Sequence, residues 1–457
     1  MSDVVVIGAG VDALVAAHCL SRAGHRVTVI EECPSDIMVT GWVPPQVARD
    51  LNGLVAERND PWLTLPLPEG GTLELWHDLA RSVEAIRRIS PRDAGKWPEF
   101  SDRMARLAHF FERLYAAPPP GLVDLRFALK LRGLGRQSME DLMRLLPMPV
   151  AELLDEWFES DLLKGALGAL GIMHLQQGPR SAGTAFRLLH HHVGSPTGVF
   201  RPARSNLGEL LRRGIELRRG RARRITLRAG RVTAVALEGG EEIAASLVVS
   251  AAAPRRSLLE LVEPGWLDPE LVRALANVRE RGVVAKVTLE LERAPDFRTL
   301  AVAPSLDYLE RAYDPAKYGR VSDQPYLEVT ASAAGAEAHF QFAPYRLAAG
   351  DWDDAHRHSI GNLTSKLLAK RLPPIKSTTV MAPPDLEARE GWPEGQAYQA
   401  ELSLDQALWM RPVPELARYG TPIGGLWLCG PGMHPGGAIL GAAGYNCAKE
   451  ILSARVN

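Results

Sequence analysis

Cysteine, net charge and long apolar runs are all scarce in these 457 residues, and each shortage excludes something. The four cysteines (Cys19, Cys33, Cys429, Cys447) form no CxxC pair and no metal-ligand spacing. They read as buried or free thiols of a reducing compartment, so neither a disulfide framework nor a metal site is expected. Basic and acidic residues nearly cancel, 53 Lys and Arg against 54 Asp and Glu, which removes the electrostatic reason to expect nucleic acid. No window approaches the roughly 18 to 20 apolar residues of a membrane span. The apolar start lacks a basic leader and is broken by Gly8, Gly10 and Asp12, so it is not read as a signal peptide. A cytoplasmic protein without a transmembrane segment is expected, with peripheral membrane contact left open. Internal repeats and low-complexity tails are absent too.

What is present is an ordinary globular composition, 46% apolar and 23% charged, on a chain long enough for two domains. Val4–Ile7 is a β-branched run of the kind buried on both faces of a sheet. Helical spacing follows over Ala13–Ala23, Gly24 stops it, and "RVTVIEE" supplies a second strand. That is a βαβ start. Between them, Gly8-Ala9-Gly10-Val11-Asp12-Ala13 matches G-x-G-x-x-A. Gly8 permits the tight turn, Gly10 lets the backbone approach a pyrophosphate, and Ala13 allows close helix–sheet packing. Glu31 ends the second strand, where a carboxylate accepts hydrogen bonds from ribose hydroxyls and repels a 2′-phosphate. The implied ligand type is therefore an adenine dinucleotide without that phosphate, and not NADP.

Later segments read more coarsely. Met104, Leu107, Ala108, Phe111, Leu114 and Tyr115 form one apolar helical stripe that the prolines at 118–120 end. More helix is expected from about 138 to 193. "ARRITLRAGRVTAVALEGGEEIAASLVVSAAAP" reads as three short strands returning the chain to the nucleotide-binding sheet. Residues 263–414 form a second mixed portion. "LCGPGMHPGGAILGAAG" then supplies a Gly-rich turn whose amides, with the helix they open, suit an anionic ligand.

Three smaller features have two readings each. His190-His191-His192 falls in a helix, where successive rings point about 100° apart and cannot share a metal. Arg212 to Arg231 holds nine arginines, a solvated face or a dock for an acidic protein partner. His434, in the Gly-rich turn, is either a proton carrier or a residue whose hydrogen bond orients backbone.

Taken in order, "VVVIGAGVDALVAA", "GTAFRLLHHHVG", "VVSAAAPRRSLLELV", "VRERGVVAKVTLEL", "QFAPYRLAAGDWD" and "ELSLDQALWMRPVPELARYGTPIGGLWLCGPGMHPGGAILGAAGYN" resemble the phytoene-desaturase-like flavoproteins. These lie within the amine-oxidase and carotenoid-desaturase superfamily, and the likeness is to their pyridine-nucleotide-disulphide-oxidoreductase-domain branch. The resemblance implies an α/β fold with a discontinuous, Rossmann-like FAD domain (1–75, 196–262 and 415–457) and a mixed helical and sheet substrate domain (76–195 and 263–414). It implies bound FAD and oxidation of an organic, often apolar, substrate by hydride transfer to flavin. It assigns Gly8, Gly10 and Ala13 to the pyrophosphate, Glu31 to the ribose, and Gly430, Gly432, Pro435, Gly436 and Gly437 to the ribityl chain and flavin ring.

Four departures run against it. "EECPSDIMVTGW" has no base after the carboxylate and Ile37-Met38 where a Gly-Gly pair is usual. "RPARSNLGELL" places Ala203 and Arg204 near a second expected glycine pair, although Arg204 offers phosphate charge from a new direction. Tyr398-Gln399-Ala400 stands for a Phe-His-Gly element. Asp12 sits in the first turn of the helix, where it is expected to cap its own helix and repel a diphosphate. The alternative function is accordingly a non-catalytic relative with weakened or lost FAD binding, acting as a binding or assembly partner.

Overall fold

The computed structural model describes residues 3–33, 39–51, 56–57, 59–120, 132–201, 203–205, 207–332 and 335–454. The Ile37-Met38 departure lies outside them.

Five parallel strands form the central sheet in the order Leu426–Leu428, Leu247–Ser250, β1 (Asp3–Ile7), β2 (Arg26–Glu31) and Glu216–Arg219. β1 is central, with Val5 paired to Val248 on one side and Thr28 on the other. Val4 to Ile7 are essentially unexposed, which explains an uninterrupted apolar run rather than an alternating one. Helix α1 (Val11–Arg22) crosses from β1 to β2 and packs on the C-terminal helix Ala442–Ala454. The positive φ of Gly24 (+87°) turns the chain out of α1 into β2.

The arginine-rich segment makes an antiparallel three-stranded ribbon, Ala222–Arg228, Arg231–Leu237 and Glu242–Ala244. The chain breaks there and re-enters the central sheet as Leu247–Ser250, giving four strands where three were expected.

A seven-stranded sheet runs Ile375–Met381, Val284–Leu291, Gly335–Gln341, Tyr326–Ser332, Thr299–Val302, Leu63–Pro66 and Thr72–Leu75. Its last hairpin corrects the boundary at residue 75. Leu63–Leu75 was expected with the βαβ start, but Thr64 pairs in parallel with Leu300. The reason is apolar partnership: Leu63, Leu65, Leu73 and Leu75 join Trp62, Trp97 and Phe200 in the core under the helices, apart from the core around β1. The long helix Pro91–Tyr115 supplies much of that helical layer, and all six residues of the expected stripe are buried. Its Ser90 cap accepts from the Asp93 amide.

No helix among the described residues is long and apolar enough to cross a membrane. Of the nine arginines in 212–231, Arg212, Arg213, Arg218, Arg219, Arg221 and Arg224 are paired with carboxylates of this chain. The segment is largely neutralised where it lies, which removes most of the attraction an acidic partner would feel.

α1 and the C-terminal helix touch through a glycine. A Cβ on Gly444 would stand 1.8 Å from the Asp12 carbonyl oxygen, so only glycine permits this approach. Gly444→Ala is expected to destabilise the protein by about 1–3 kcal/mol, the usual cost of overpacking against backbone. A chemical-denaturation midpoint unchanged from wild type would show that the helices separate freely.

Candidate cofactor and substrate cavity

One cavity of about 1080 Å³ connects the two Gly-rich turns and continues onto the seven-stranded sheet. That is at the upper end of ligand pockets, roughly 300–1,000 Å³. Gly8, Gly10 and Ala13 line it at one end, and Gly430, Gly436 and Gly437 line it further along. Gly432, Pro435, Glu31 and His434 are not on its wall.

The start of α1 is built to receive an anion. Gly8 adopts φ +96°, closed to residues with a Cβ, and its amide donates to Ile30 (2.9 Å). Gly10 occupies the N-cap position, and no side chain caps the helix. A Cβ at Gly10 would meet nothing within 4 Å, so the backbone is open to approach. Orphan amides at an uncapped helix start, aided by the helix dipole, are a phosphate site. Arg204 lies on the same cavity wall and adds positive charge.

Asp12 behaves otherwise than expected. Its Oδ1 accepts from the Gly444 amide (3.2 Å), with the amides of Ala443 and Gly441 also directed at it. It therefore caps the C-terminal helix and leaves the start of α1 uncapped. Gly441 precedes that helix and has no side chain of its own to offer, and Gly444 lets α1 come close enough for Asp12 to serve. Burial pushes its carboxyl up to about 6, against the opposing pull of those amides.

At the end of β2 two adjacent acids divide the work. Glu31 accepts from Arg212 Nη1 (2.6 Å), with Arg219 4.0 Å away across the strand pair. Glu32 is the one on the cavity wall, where it accepts from Arg256 Nη2 (2.9 Å) and from the Ala222 amide (2.8 Å). Sequence spacing selects Glu31 because it ends the strand; the direction of each side chain depends on Arg212 and Arg256, which are far away in sequence.

The C-terminal turn is held from behind. Gly430 and Gly436 have φ of +108° and +95°. Gln399 bridges it to the central sheet, accepting from the Gly432 amide (3.2 Å) and donating to the Ala251 carbonyl (2.8 Å). The Tyr398 ring covers Gly437, where a Cβ would be 1.8 Å from the ring. Arg411 is fully buried and donates to the carbonyls of Tyr398, Ala400, Glu401, Gln406, Pro431 and Met433. Nothing in the sequence singled it out.

His434 is corrected as a proton carrier. Its ring is buried edge-on to Tyr115, with centroids 5.8 Å apart, and faces the carbonyl end of the helix Pro91–Tyr115. Burial lowers its pKa to about 4, so it is neutral and cut off from the cavity.

The floor of the wider compartment is one face of the seven-stranded sheet. Ala285, Val287, Leu291, Val329, Ala338 and Phe340 pack away from it into an apolar core. Lys286, Thr288, Glu290, Glu328, Thr330, Glu337 and His339 face the cavity instead. Arg201 pairs with Glu328 (2.6 Å), and Glu337 with Lys286 (2.6 Å) and His339 (3.3 Å). Those partners overcome burial and bring the Glu337 carboxyl down to about 2. From sequence this region reads only as a second mixed portion, without a cavity floor.

The three consecutive histidines face different partners. His190 bridges the Tyr115 hydroxyl (3.0 Å) and the Gly437 carbonyl (2.8 Å), His191 meets Arg187, and His192 meets the Val199 carbonyl (2.6 Å). Among the described residues no group of three or more His, Cys, Asp or Glu side chains is placed to hold a metal ion. The four cysteines are unpaired.

Comparison with known proteins agrees with this geometry. Residues 6–46 match the NAD(P)-binding Rossmann-like domain, and residues 201–452, more than half the chain, match the flavin containing amine oxidoreductase family. The chain is 28% identical to pyridine nucleotide-disulfide oxidoreductase domain-containing protein 2 of Rattus norvegicus, over 98% of this chain and 93% of that protein. It is 35% identical to hydroxyneurosporene desaturase of Cereibacter sphaeroides over 27% of this chain and 30% of that one. In fold it is similar to putrescine oxidase bound to putrescine (TM-score 0.56, 14% identity, 100% of this chain and 99% of the other).

Proposed function

The chain belongs to the flavin containing amine oxidoreductase family, and on that premise we propose that it is an FAD-dependent oxidoreductase of desaturase or dehydrogenase type. One observation carries the proposal: a single cavity joins the uncapped start of α1 to the C-terminal glycine turn and then opens over a polar sheet face. FAD, when bound, supplies the hydride acceptor. In this reading the amides at Gly10 to Ala13 and the charge of Arg204 hold the diphosphate. Glu32, with Glu31 behind it, faces the ribose and disfavours a 2′-phosphate. Gly430, Gly436 and Gly437 line the stretch of cavity along which the ribityl chain and ring would lie, the space of their missing Cβ atoms being taken by Ala251, Arg411 and Tyr398. The protein orients the substrate and shields the reacting carbon from water.

The floor modifies the expected substrate. Seven polar or charged side chains, several already paired, lie under a largely apolar wall, so the cavity accommodates an organic substrate that carries a hydrogen-bonding group as well as an apolar body. The non-catalytic alternative rested on four departures together; of these, Asp12 turns to the other helix, Arg204 brings charge to the cavity wall and Gln399 holds the glycine turn, which leaves that alternative without support among the described residues.

The test is colour. The purified protein should show flavin absorption with about one FAD per chain, released on denaturation. Gly10→Leu should remove it. Gly10 has φ −70°, which any residue adopts, and the new side chain enters open space, so stability should change by less than about 0.5 kcal/mol. Flavin retention should nonetheless fall at least tenfold. Colourless wild-type protein that stays colourless with added FAD would refute the proposal.

A further inference from the structure

Behind the cavity wall, Arg187 is completely buried on the helix Thr184–His192. A guanidinium has donors only. Its Nη2 gives hydrogen bonds to the Met173 carbonyl (3.0 Å) and to His191 Nε2 (3.1 Å), and its carbon lies 5.3 Å from the centre of the Tyr398 ring. His191 Nε2 must therefore accept, which places the ring proton on Nδ1. The His191 ring lines the cavity, and its Nδ1 has no partner within the chain among the described residues.

We infer that His191, held by Arg187 as a neutral Nδ1–H donor, binds a hydrogen-bond acceptor atom of the substrate. The substrate class is then a compound with a carbonyl, ether, hydroxyl or amine acceptor beside the carbon to be oxidised. This rests on the reading of the cavity as the substrate site, and it adds the residue that sets substrate orientation. His191 is a donor that does not titrate. Burial first, and then Arg187, the rings of His190 and His174, and Arg201, all facing it, hold its pKa well below the ordinary 6.5, since protonation would set a second cation against Arg187. Such a group cannot serve as a base at Nε2, where Arg187 stands. It can orient a substrate, and Arg187 acts through it as a positioning residue.

The test uses two probes alike in shape, acetophenone and ethylbenzene, titrated into the purified full-length protein. Long-range ¹H–¹⁵N spectra of histidine-labelled protein follow His191, assigned by its loss in His191→Phe. The wild type should show the Nδ1–H tautomer with no titration between about pH 5 and 8, and acetophenone should move that proton downfield. Acetophenone should bind several-fold more tightly than ethylbenzene, as one neutral hydrogen bond provides. His191→Phe should erase the preference, and His191→Asn, whose amide keeps a donor at that position, should restore most of it. Arg187→Met should raise the His191 pKa without returning it to the ordinary imidazole value, since burial, the larger cause, remains. An Nε2–H tautomer, equal affinity for the two probes, no binding of acetophenone, or a preference that survives in His191→Phe would overturn the inference. Flavin content is read separately by absorbance. A colourless protein with the ketone preference sinks the flavin reading and supports this one; a yellow protein without the preference sinks this one alone.

Discussion

Arg411→Met should be among the most damaging single substitutions in the protein, lowering stability by more than about 4 kcal/mol and releasing the cofactor. Methionine fills much of the volume but donates nothing. Six buried carbonyls, from Tyr398, Ala400, Glu401, Gln406, Pro431 and Met433, would lose a donor together, and of these the Glu401 carbonyl keeps a second one from Gln406 Nε2 (3.1 Å). Each buried acceptor left unsatisfied costs about 1–3 kcal/mol. The sum rivals the roughly 5–15 kcal/mol that holds a whole domain folded, so the two loops should part and hydrate before the full cost is met. Those loops carry Tyr398, Gln399 and the glycine turn, which is why structure and cofactor should be lost together. Gly436 shows how close the support lies: a Cβ there would be 2.8 Å from Arg411 Nε. Arg411→Lys, keeping the charge and three donors but not the planar fork, should recover only part. The measurements are the thermal midpoint and the flavin retained after gel filtration. A variant Arg411→Met within about 2 °C of wild type and still yellow would show that water replaces the guanidinium without loss.

The contrast between Arg411 and β1 shows what was legible in the sequence. Val4–Ile7, the glycines after it and the apolar face of Pro91–Tyr115 answer to local rules, because burial on both faces or on one stripe is written in consecutive residues. The glycine turn was legible for the same reason: Gly8, Gly430 and Gly436 meet conformational demands of their own backbone. Arg411 answers to six carbonyls on two separate loops, and no local pattern marks an arginine that will be buried. Position along the chain places Leu63–Leu75 with the first domain, yet its sheet is chosen by Thr64 meeting Leu300. Glu31 and Glu32 are neighbours of one type, both ion-paired, and only the placement of Arg212 and Arg256 separates the acid behind the cavity wall from the one on it. His191 is the sharpest case. Its helix was readable, but its role turns on which ring nitrogen Arg187 occupies, a tertiary fact. His434 stood in a recognisable motif and still belongs to the packing behind it.

Asp12→Asn should stabilise the protein at pH 7 and above, by up to about 3 kcal/mol, and should remove a pH dependence that the wild type shows between roughly pH 4 and 6. Two effects compete at this residue. An anion at the start of the Ala442–Ala454 helix gains about 0.3–1 kcal/mol from the dipole, up to ~2 in partly buried sites. Against it, burial raises the carboxyl from its ordinary 3.8 to about 6, net of the Gly444, Ala443 and Gly441 amides. Each unit is worth about 1.4 kcal/mol, so burial outweighs the cap. The sign follows from proton binding. Between 3.8 and 6 the folded protein holds the proton more tightly than the unfolded chain, so this residue's contribution falls as pH rises through that window and is flat above it. Asparagine retains an oxygen for the Gly444 amide and carries no charge, so it resembles the protonated acid at every pH. Asp12→Leu should do the opposite of Asn, since it leaves those amides without an acceptor, at about 1 kcal/mol or more. Denaturation midpoints of the three proteins from pH 4 to 8, at equal flavin content, decide it. If Asp12→Asn is less stable than wild type at pH 7.5, the helix dipole dominates and the acid is a net support for the C-terminal helix. If instead Asn and wild type track each other across the whole range, the carboxylate stays hydrated and the cap seen at Gly444 carries little energy.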